Sequence, residues 1–188
     1  MIDTRRALLM GGAQTLSVAG LAVMLGTGTA VIAADAKADP GQDVSILNAA
    51  IALENEGVAA YTIAAGSGLL QPAVVQIGVT FRGHHMQHRD ELIKAVQALG
   101  GTPAAAKSDA DYAADLNVAS LKNQTDVLRL ALGLERGAAN AYLGLIPSLG
   151  AGYHQIAARM AGDEAFHAAI LANALGDPIP TKALIFGA

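Results

Sequence analysis

A pattern repeated in the two halves of the chain constrains its fold more than any other sequence feature. Residues 52–61 read ALENEGVAAY and residues 133–142 read GLERGAANAY, with Leu-Glu and Tyr at matching positions. Each segment is followed by a helical segment that carries an inward-facing pair three residues apart: His85 and His88 in the first half, Glu164 and His167 in the second. Two similar helical hairpins joined by a crossover predict a four-helix bundle.

Apolar periodicity and end signals indicate where the four helices lie. The predicted helices run from Asp43, as N-cap, to about Ala65; from Pro72 to about Leu99; from between Ser120 and Thr125 to before Pro147; and from about His154 to Leu175. A polar stretch at 104–116, with a short helical turn near 109–114, is interpreted as a long crossover. The composition, 53% apolar and only 4% aromatic, suits closely packed helices. We therefore predict an all-α, antiparallel four-helix bundle at 43–176, with a tail at 177–188 along the bundle.

The amino terminus resembles a twin-arginine export signal. Arg5 and Arg6 precede an uncharged run from Leu8 to Ala34, and small-x-small cleavage sites follow at 34–36 and 36–38. We interpret residues 1–36 as a signal peptide and 37–42 as a linker, and we expect a periplasmic protein. The run is also long enough to span a bilayer, which needs about 20 residues. A retained membrane anchor is therefore the alternative, and it is the one case in which a membrane partner is expected.

Ionisable residues interrupt the apolar face of every predicted helix near its middle. They are Glu54, then His85 and His88, then Glu135, then Glu164 and His167. A carboxylate buried alone costs several kcal/mol, so three at one level of a core need cations or protons to compensate them. One or two metal ions supply this compensation most directly, and the absence of Cys restricts the ligands to nitrogen and oxygen. The alternative is a metal-free network in which His85 and His88 pair with Glu54 and Glu135.

Over roughly residues 43–175, this arrangement resembles the ferritin-like superfamily of di-iron carboxylate bundles. That family places one Glu on each of two helices and a Glu-x-x-His on each of the other two. Five positions match this pattern: Glu54, Glu135, Glu164, His167 and His88. His85 stands where the family has a bridging Glu, so one negative charge and one bridging ligand are missing.

The resemblance implies a transition metal in the bundle core, iron first, with manganese or zinc as alternatives. With three carboxylates instead of four, the six residues are expected to hold a single ion or a looser pair. The expected function is an exported metal-binding protein with metal-dependent oxidase or peroxidase-type activity. The alternative is a non-catalytic bundle acting in stress protection, or as an accessory subunit of an envelope complex; a homo-oligomer is a further expectation. A formal net charge of -4 without a basic run argues against a nucleic-acid partner.

The sequence also allows predictions for tyrosines, polar residues and glycines that lie near the candidate ligands. Tyr61 and Tyr142 lie two turns, about 10 Å, beyond their glutamates. Core packing is the favoured role for both tyrosines, and support of the metal ligands or a redox role is the alternative. Five residues fall off the inward-facing lines and are predicted to be solvated: Glu56, His84, Asp90, Glu91 and Asp163. Gly57, Gly133 and Gly137 weaken their helices, which suggests close helix approach or an access path to the site.

Overall fold

The structure, a computed structural model, describes residues 39–187. Five α-helices and two short 3-10 turns make up this part of the chain: α1 Pro40–Gly66, α2 Pro72–Ala98, α3 Asp109–Asp115, a turn at Val118–Ser120, α4 Gln124–Leu145, a turn at Ile146–Ser148 and α5 Ala151–Ala174. No strand occurs among the described residues, and the all-α prediction is confirmed. The predicted signal peptide lies outside the described residues.

The start of α1 differs from the prediction. Asp39, not Asp43, is the N-cap: its carboxylate accepts a hydrogen bond from the backbone N–H of Gly41, and Pro40 occupies the first turn. An N-cap Asp followed by Pro is a complete start signal, so the helix begins about one turn earlier than predicted. Asp43 is buried inside α1 and accepts a hydrogen bond from the backbone N–H of Gly150, which precedes α5.

The other helix ends lie close to their predicted positions. Pro72 begins α2, and Gly100, with φ 76°, follows its end. The short helix α3 lies where the crossover was predicted to contain a helical turn. Asn123 caps α4, which begins inside the predicted window. The last long helix, α5, begins at Ala151, three residues before the predicted start at His154.

The four long helices pack as two hairpins, α1 with α2 and α4 with α5. The core of the bundle contains two apolar clusters, which lie at different levels along it. The first cluster contains Ile46, Leu47, Ala50, Ile51, Leu92, Val96, Tyr142, Leu145, Leu149, Ala157, Met160 and Ala161, and the second contains Tyr61, Phe81, Leu128, Leu132, Ala168 and Leu171. Because the start of α1 meets the end of α4, these two helices are antiparallel. The predicted polar residues lie between the two clusters.

The chain after α5 lies partly along the bundle. Phe186 packs against the second apolar cluster, and the backbone N–H of Gly187 donates to Oδ1 of Asn140 at 2.7 Å. The side chains of Ile179 and Leu184 are exposed. Among the helices of residues 39–187, none has both the length and the apolar character needed to span a membrane.

Candidate metal centre

All six residues predicted as metal ligands meet in the interior of the bundle. They come from all four long helices, and no residue of the six is more than 8% exposed: Glu54 on α1, His85 and His88 on α2, Glu135 on α4, and Glu164 and His167 on α5. Glu164 and His167 are fully buried. The inward-facing periodicity therefore placed each of these side chains correctly, and the ligand role itself stays a prediction.

The six residues form two overlapping groups of potential metal ligands. The first half-site consists of Glu54, His85, His88 and Glu164, and the second half-site consists of His85, Glu135, Glu164 and His167. Within each half-site the ligand atoms lie within 4.8 Å of one another. Glu164 serves both because Oε1 lies 3.1 Å from Nδ1 of His88, while Oε2 lies 3.5 Å from Nδ1 of His167.

His85 spans the gap between the two unshared glutamates. Its Nδ1 lies 2.7 Å from Oε2 of Glu54, and its Nε2 lies 3.3 Å from Oε1 of Glu135. One face of the ring stacks on Tyr61, with centroids 5.5 Å apart. The ring also lies against α1 at Gly57, where an added Cβ would come within 2.8 Å of His85 Nδ1. Helix packing therefore fixes the orientation of the imidazole.

The glycines did not all behave as predicted. Gly57 permits the close approach of α1 to the His85 ring. At Gly133, by contrast, an added Cβ would meet nothing within 4 Å. Close helix approach is therefore correct for Gly57 and wrong for Gly133.

Both tyrosines contact the carboxylates directly, so a role in packing alone was wrong. The hydroxyl of Tyr61 donates to Oε1 of Glu135, and the hydroxyl of Tyr142 donates to Oε1 of Glu54. Each tyrosine thus supports the glutamate of the other repeat. Burial raises the pKa of both phenols, and the nearby glutamates raise it further. The two hydroxyl groups therefore remain protonated donors.

His84 and Asp163 contact ligand histidines from the outer side of the centre, a role that the sequence did not predict; Asp163 is exposed, as predicted, and His84 is half-buried. His84 Nδ1 lies 2.9 Å from Nε2 of His167, and His88 Nε2 lies 3.1 Å from Oδ2 of Asp163. Each residue therefore contacts the outer ring nitrogen of a histidine whose Nδ1 faces the carboxylates. The repeat carried a signal for them, because His84 immediately precedes His85 and Asp163 immediately precedes Glu164.

Proton sharing between the glutamates and histidines determines the charge of the metal-free centre. Burial opposes ionisation of Glu54, but hydrogen bonds with His85 and His88 lower its pKa overall. For Glu164, burial dominates and raises the pKa. Burial lowers the pKa of His88, yet hydrogen bonds with Glu164 and Glu54 outweigh it and raise the value to about 10. The pKa of His85 is likewise raised by Glu135 and Glu54 against the effect of burial.

The donor set fits a metal ion. Glu164 Oε2 is a buried carboxylate oxygen without a hydrogen-bond partner among the described residues. An unsatisfied buried acceptor costs about 1–3 kcal/mol, and more when it is charged, so a cation at this oxygen would remove that cost. Imidazole nitrogens with carboxylate oxygens suit first-row transition metals. Glu54, His85, His88, Glu135, Glu164 and His167 would hold the metal.

A cleft between α2 and α5 reaches the centre from solvent. Its volume is about 570 Å³. Its lining includes His84 and His88 from α2 and Arg159, Asp163 and Phe166 from α5. The outer side of His88 therefore faces this opening, which offers an ion or a small molecule a route to the buried carboxylates.

Fold and site together define a helical bundle with a buried carboxylate–histidine centre. Residues 42–177 match the ferritin-like domain family, and the chain belongs to that family. The predicted resemblance is thereby confirmed. Among solved structures, the chain is similar to a conserved hypothetical protein from Mycobacterium tuberculosis, with 25% identity and a TM-score of 0.62 over 78% of this chain and 99% of that chain. No curated protein matches the sequence.

Proposed function

We propose that this protein is an exported, metal-binding member of the ferritin-like family, with an oxidase or peroxidase-type activity at the buried centre. The observation that supports it most is the unpartnered Glu164 Oε2 within a set of buried carboxylates and imidazoles. A transition metal, iron first, would supply one-electron redox chemistry towards dioxygen or peroxide. The substrate would be the metal itself or a small molecule.

The residues of the chain would bind the ion, hold its ligands and exclude water. His88 and His167 present Nδ1 towards Glu164. Tyr142 and Tyr61 hold the carboxylates of Glu54 and Glu135 through their hydroxyl groups. The apolar clusters on both sides of the centre exclude bulk water. The cleft between α2 and α5 is the proposed route for the small substrate.

Elemental analysis and metal reconstitution test this proposal. Protein recovered after its own export should contain a transition metal, and chelator-treated protein should regain at least one equivalent of Fe(II) under anaerobic conditions. Replacing a ligand, as in Glu54→Ala or Glu164→Ala, should reduce the metal content or oxidation activity. His154→Ala is the matched control, because His154 lies outside the centre with Nε2 2.8 Å from the Leu149 carbonyl oxygen. Reconstituted protein without metal, or loss that is equal in the control, would contradict metal binding.

Export is proposed from the amino-terminal pattern. Twin-arginine export moves folded proteins, which agrees with a metal centre that is assembled before export. A double Arg5→Lys and Arg6→Lys variant should accumulate in the cytoplasm, and mass spectrometry of the exported wild-type protein should find a new amino terminus near residue 36. Equal export of both proteins would contradict the twin-arginine route. An intact amino terminus in the membrane fraction would support the retained anchor instead.

A non-catalytic bundle is the second candidate, and His85 is the observation that favours it. Its ring joins Glu54 to Glu135 by hydrogen bonds and thereby links three long helices without an ion. Such a protein would act in stress protection or as an accessory subunit of an envelope complex. In that case chelation should leave the unfolding free energy unchanged, and the same partner should co-purify with wild type and with His167→Ala.

A further inference from the structure

We infer that the centre binds a single divalent transition-metal ion at the first half-site, while Glu135 and His167 remain a metal-free, hydrogen-bonded support. This inference rests on the proposed metal binding and adds the number of ions and their position. It is carried by the contacts of His85, by the groups behind His88 and His167, and by the position of the cleft.

His85 stands where the family has a bridging glutamate, and an imidazole cannot bridge two ions as that carboxylate would. A glutamate has two oxygens that accept metals, whereas a neutral imidazole has one lone pair and one N–H. The contacts with Gly57 and Tyr61 hold the ring so that Nδ1 faces Glu54 and Nε2 faces Glu135. An ion bound by Nδ1 therefore leaves the Nε2–H to donate to Glu135. The His85 ring can therefore bind one ion through Nδ1 and donate one hydrogen bond through Nε2, but it cannot bind two ions.

Glu135 and His167, the two members that only the second half-site contains, are hydrogen-bonded without an ion. Glu135 Oε1 accepts from the hydroxyl of Tyr61 and from Nε2–H of His85. Its Oε2 lies 3.3 Å from Nδ1 of His167, which can donate to it. The outer nitrogen of His167, Nε2, lies 2.9 Å from Nδ1 of His84, and the two nitrogens share a hydrogen bond. In this arrangement the two ring nitrogens of His167 are both used without a metal.

The first half-site carries more negative charge. Glu54 and Glu164 face His88 from within the bundle, and the carboxylate of Asp163 lies behind it, 3.1 Å from Nε2. An ionised carboxylate only accepts hydrogen bonds, so Asp163 keeps the proton of His88 on Nε2 and leaves the Nδ1 lone pair for an ion. The corresponding group behind His167 is the imidazole of His84, which adds no carboxylate.

The position of the cleft between α2 and α5 also favours binding of the ion at the first half-site. Its lining includes both His88 and Asp163, so an ion entering between α2 and α5 meets the first half-site before it meets Glu135. His88 is 8% exposed, whereas His167 is fully buried behind His84. Charge, tautomer and access therefore select the same four ligands: Glu54, His85, His88 and Glu164.

Titration of chelator-treated, full-length protein with Co(II), followed by calorimetry and by the visible absorption of the bound ion, tests the inference. Wild type should bind one Co(II) per chain. Glu54→Gln, which replaces a ligand, should weaken binding by more than about 100-fold, and the isosteric change Glu135→Gln, which alters only the partner of the His85 N–H, by about 10–100-fold. His85→Glu, which restores a second bridging carboxylate, should raise the stoichiometry towards two ions.

The possible outcomes distinguish a failure of the single-ion inference from a failure of the proposed metal binding. Two Co(II) ions bound to wild type, or a larger loss in Glu135→Gln than in Glu54→Gln, would overturn the single-ion inference and leave the proposed function standing. No Co(II) bound to wild type would overturn both. The wild-type stoichiometry needs no variant, so it decides the number of ions even when a variant fails to fold.

Discussion

At the residue scale, His85 changes the charge of the centre because it stands where a carboxylate would add a negative charge. A glutamate in its place would give four carboxylates, which suit a pair of highly charged ions. The imidazole instead brings a hydrogen-bond donor, or a positive charge when both nitrogens carry protons. It lies within hydrogen-bonding distance of both Glu54 and Glu135. The metal-free protein can therefore keep its buried acids compensated by protons, and a metal must compete with those protons.

Asp163→Asn should weaken metal binding because it removes the carboxylate that holds the Nε2–H of His88. Loss of such a partner costs about 10–100-fold in metal affinity, and the exposed side chain of Asp163 favours the lower end of that range. The measurement is competition with a chromophoric chelator for Co(II). Asp90→Asn is the matched control, since Asp90 is exposed and pairs with Arg89. Equal affinities for the two variants would contradict a positioning role for Asp163.

Tyr142→Phe should destabilise the metal-free protein because Glu54 loses its hydroxyl donor in a buried site. A hydrogen bond to a charged group contributes about 1.5–3 kcal/mol, and we expect the unfolding free energy to fall by about that amount. Urea denaturation in the presence of a chelator measures it. Tyr153→Phe provides the comparison, because Tyr153 is half-buried against the first apolar cluster. If both variants lose the same small amount, the hydroxyl of Tyr142 does not support the carboxylate.

The sequence predicted side chains that face straight into the bundle but missed those that approach from the side. Inward-facing positions repeat every three or four residues, so the six buried acids and imidazoles were found by periodicity alone. His84 and Asp163 lie about 100° away from that line and reach the centre across the α2–α5 contact. Such lateral contacts depend on how far apart two helices pack. Periodicity within one helix carries no information about that distance.

At the scale of the element, the sequence of α1 is adapted to the His85 ring, which packs against this helix at Gly57. A glycine at position 57 lacks the Cβ atom that would collide with the His85 ring. Gly57 weakens α1, so the reason for a glycine at this position is its contact with His85 of α2 and not the stability of α1 itself. The start of α1 was placed one turn late although its signal is present, because Asp43 is an acceptable cap as well as Asp39, which Pro40 follows. The contact of Asp43 with Gly150 distinguishes them, and it is a long-range contact.

Gly133→Ala should raise the unfolding free energy, whereas Gly57→Ala should not. Alanine favours a helix over glycine by about 1 kcal/mol, and at Gly133 the added Cβ meets nothing within 4 Å, so this variant should gain stability. At position 57 the Cβ would come within 2.8 Å of the His85 ring, so the ring must move away from Glu54. We expect lower Co(II) affinity and no gain in unfolding free energy. A Gly57→Ala protein as stable as Gly133→Ala, with unchanged affinity, would contradict the fixed position of the ring.

At the scale of the whole molecule, the repeat predicted the topology because each half contributes the same kinds of residue at the same level. The antiparallel contact of α1 with α4 lets Tyr61 reach Glu135 and Tyr142 reach Glu54, so the two hairpins exchange hydrogen bonds. These exchanges were not predictable, since the repeat specifies the level of a residue but not which neighbour it contacts. The centre therefore connects the two halves of the fold, and its protonation should affect global stability.

The direction of that effect follows from the pKa shifts. Hydrogen bonds with Glu164 and Glu54 raise the pKa of His88 from 6.5 to about 10 despite burial, so its contribution is complete below pH 6.5 and is lost as the pH rises through 10. Glu54 has its pKa lowered from 4.5 by His85 and His88 against burial, so its contribution is complete above pH 4.5 and is lost in acid. Burial raises the pKa of Glu164, which adds to the loss above pH 4.5.

Metal-free protein should therefore be most stable between about pH 4.5 and 6.5 and should lose stability steadily towards pH 9. Bound metal should reverse the alkaline trend, because an imidazole must release its proton before its nitrogen can bind an ion. Urea denaturation from pH 4 to 9, with a chelator and with saturating Co(II), measures both curves. His88→Gln should flatten the alkaline slope of the metal-free protein, whereas His154→Gln, outside the centre, should not. If the metal-free curve is flat from pH 6.5 to 9, the histidines do not carry the protons that compensate the buried glutamates.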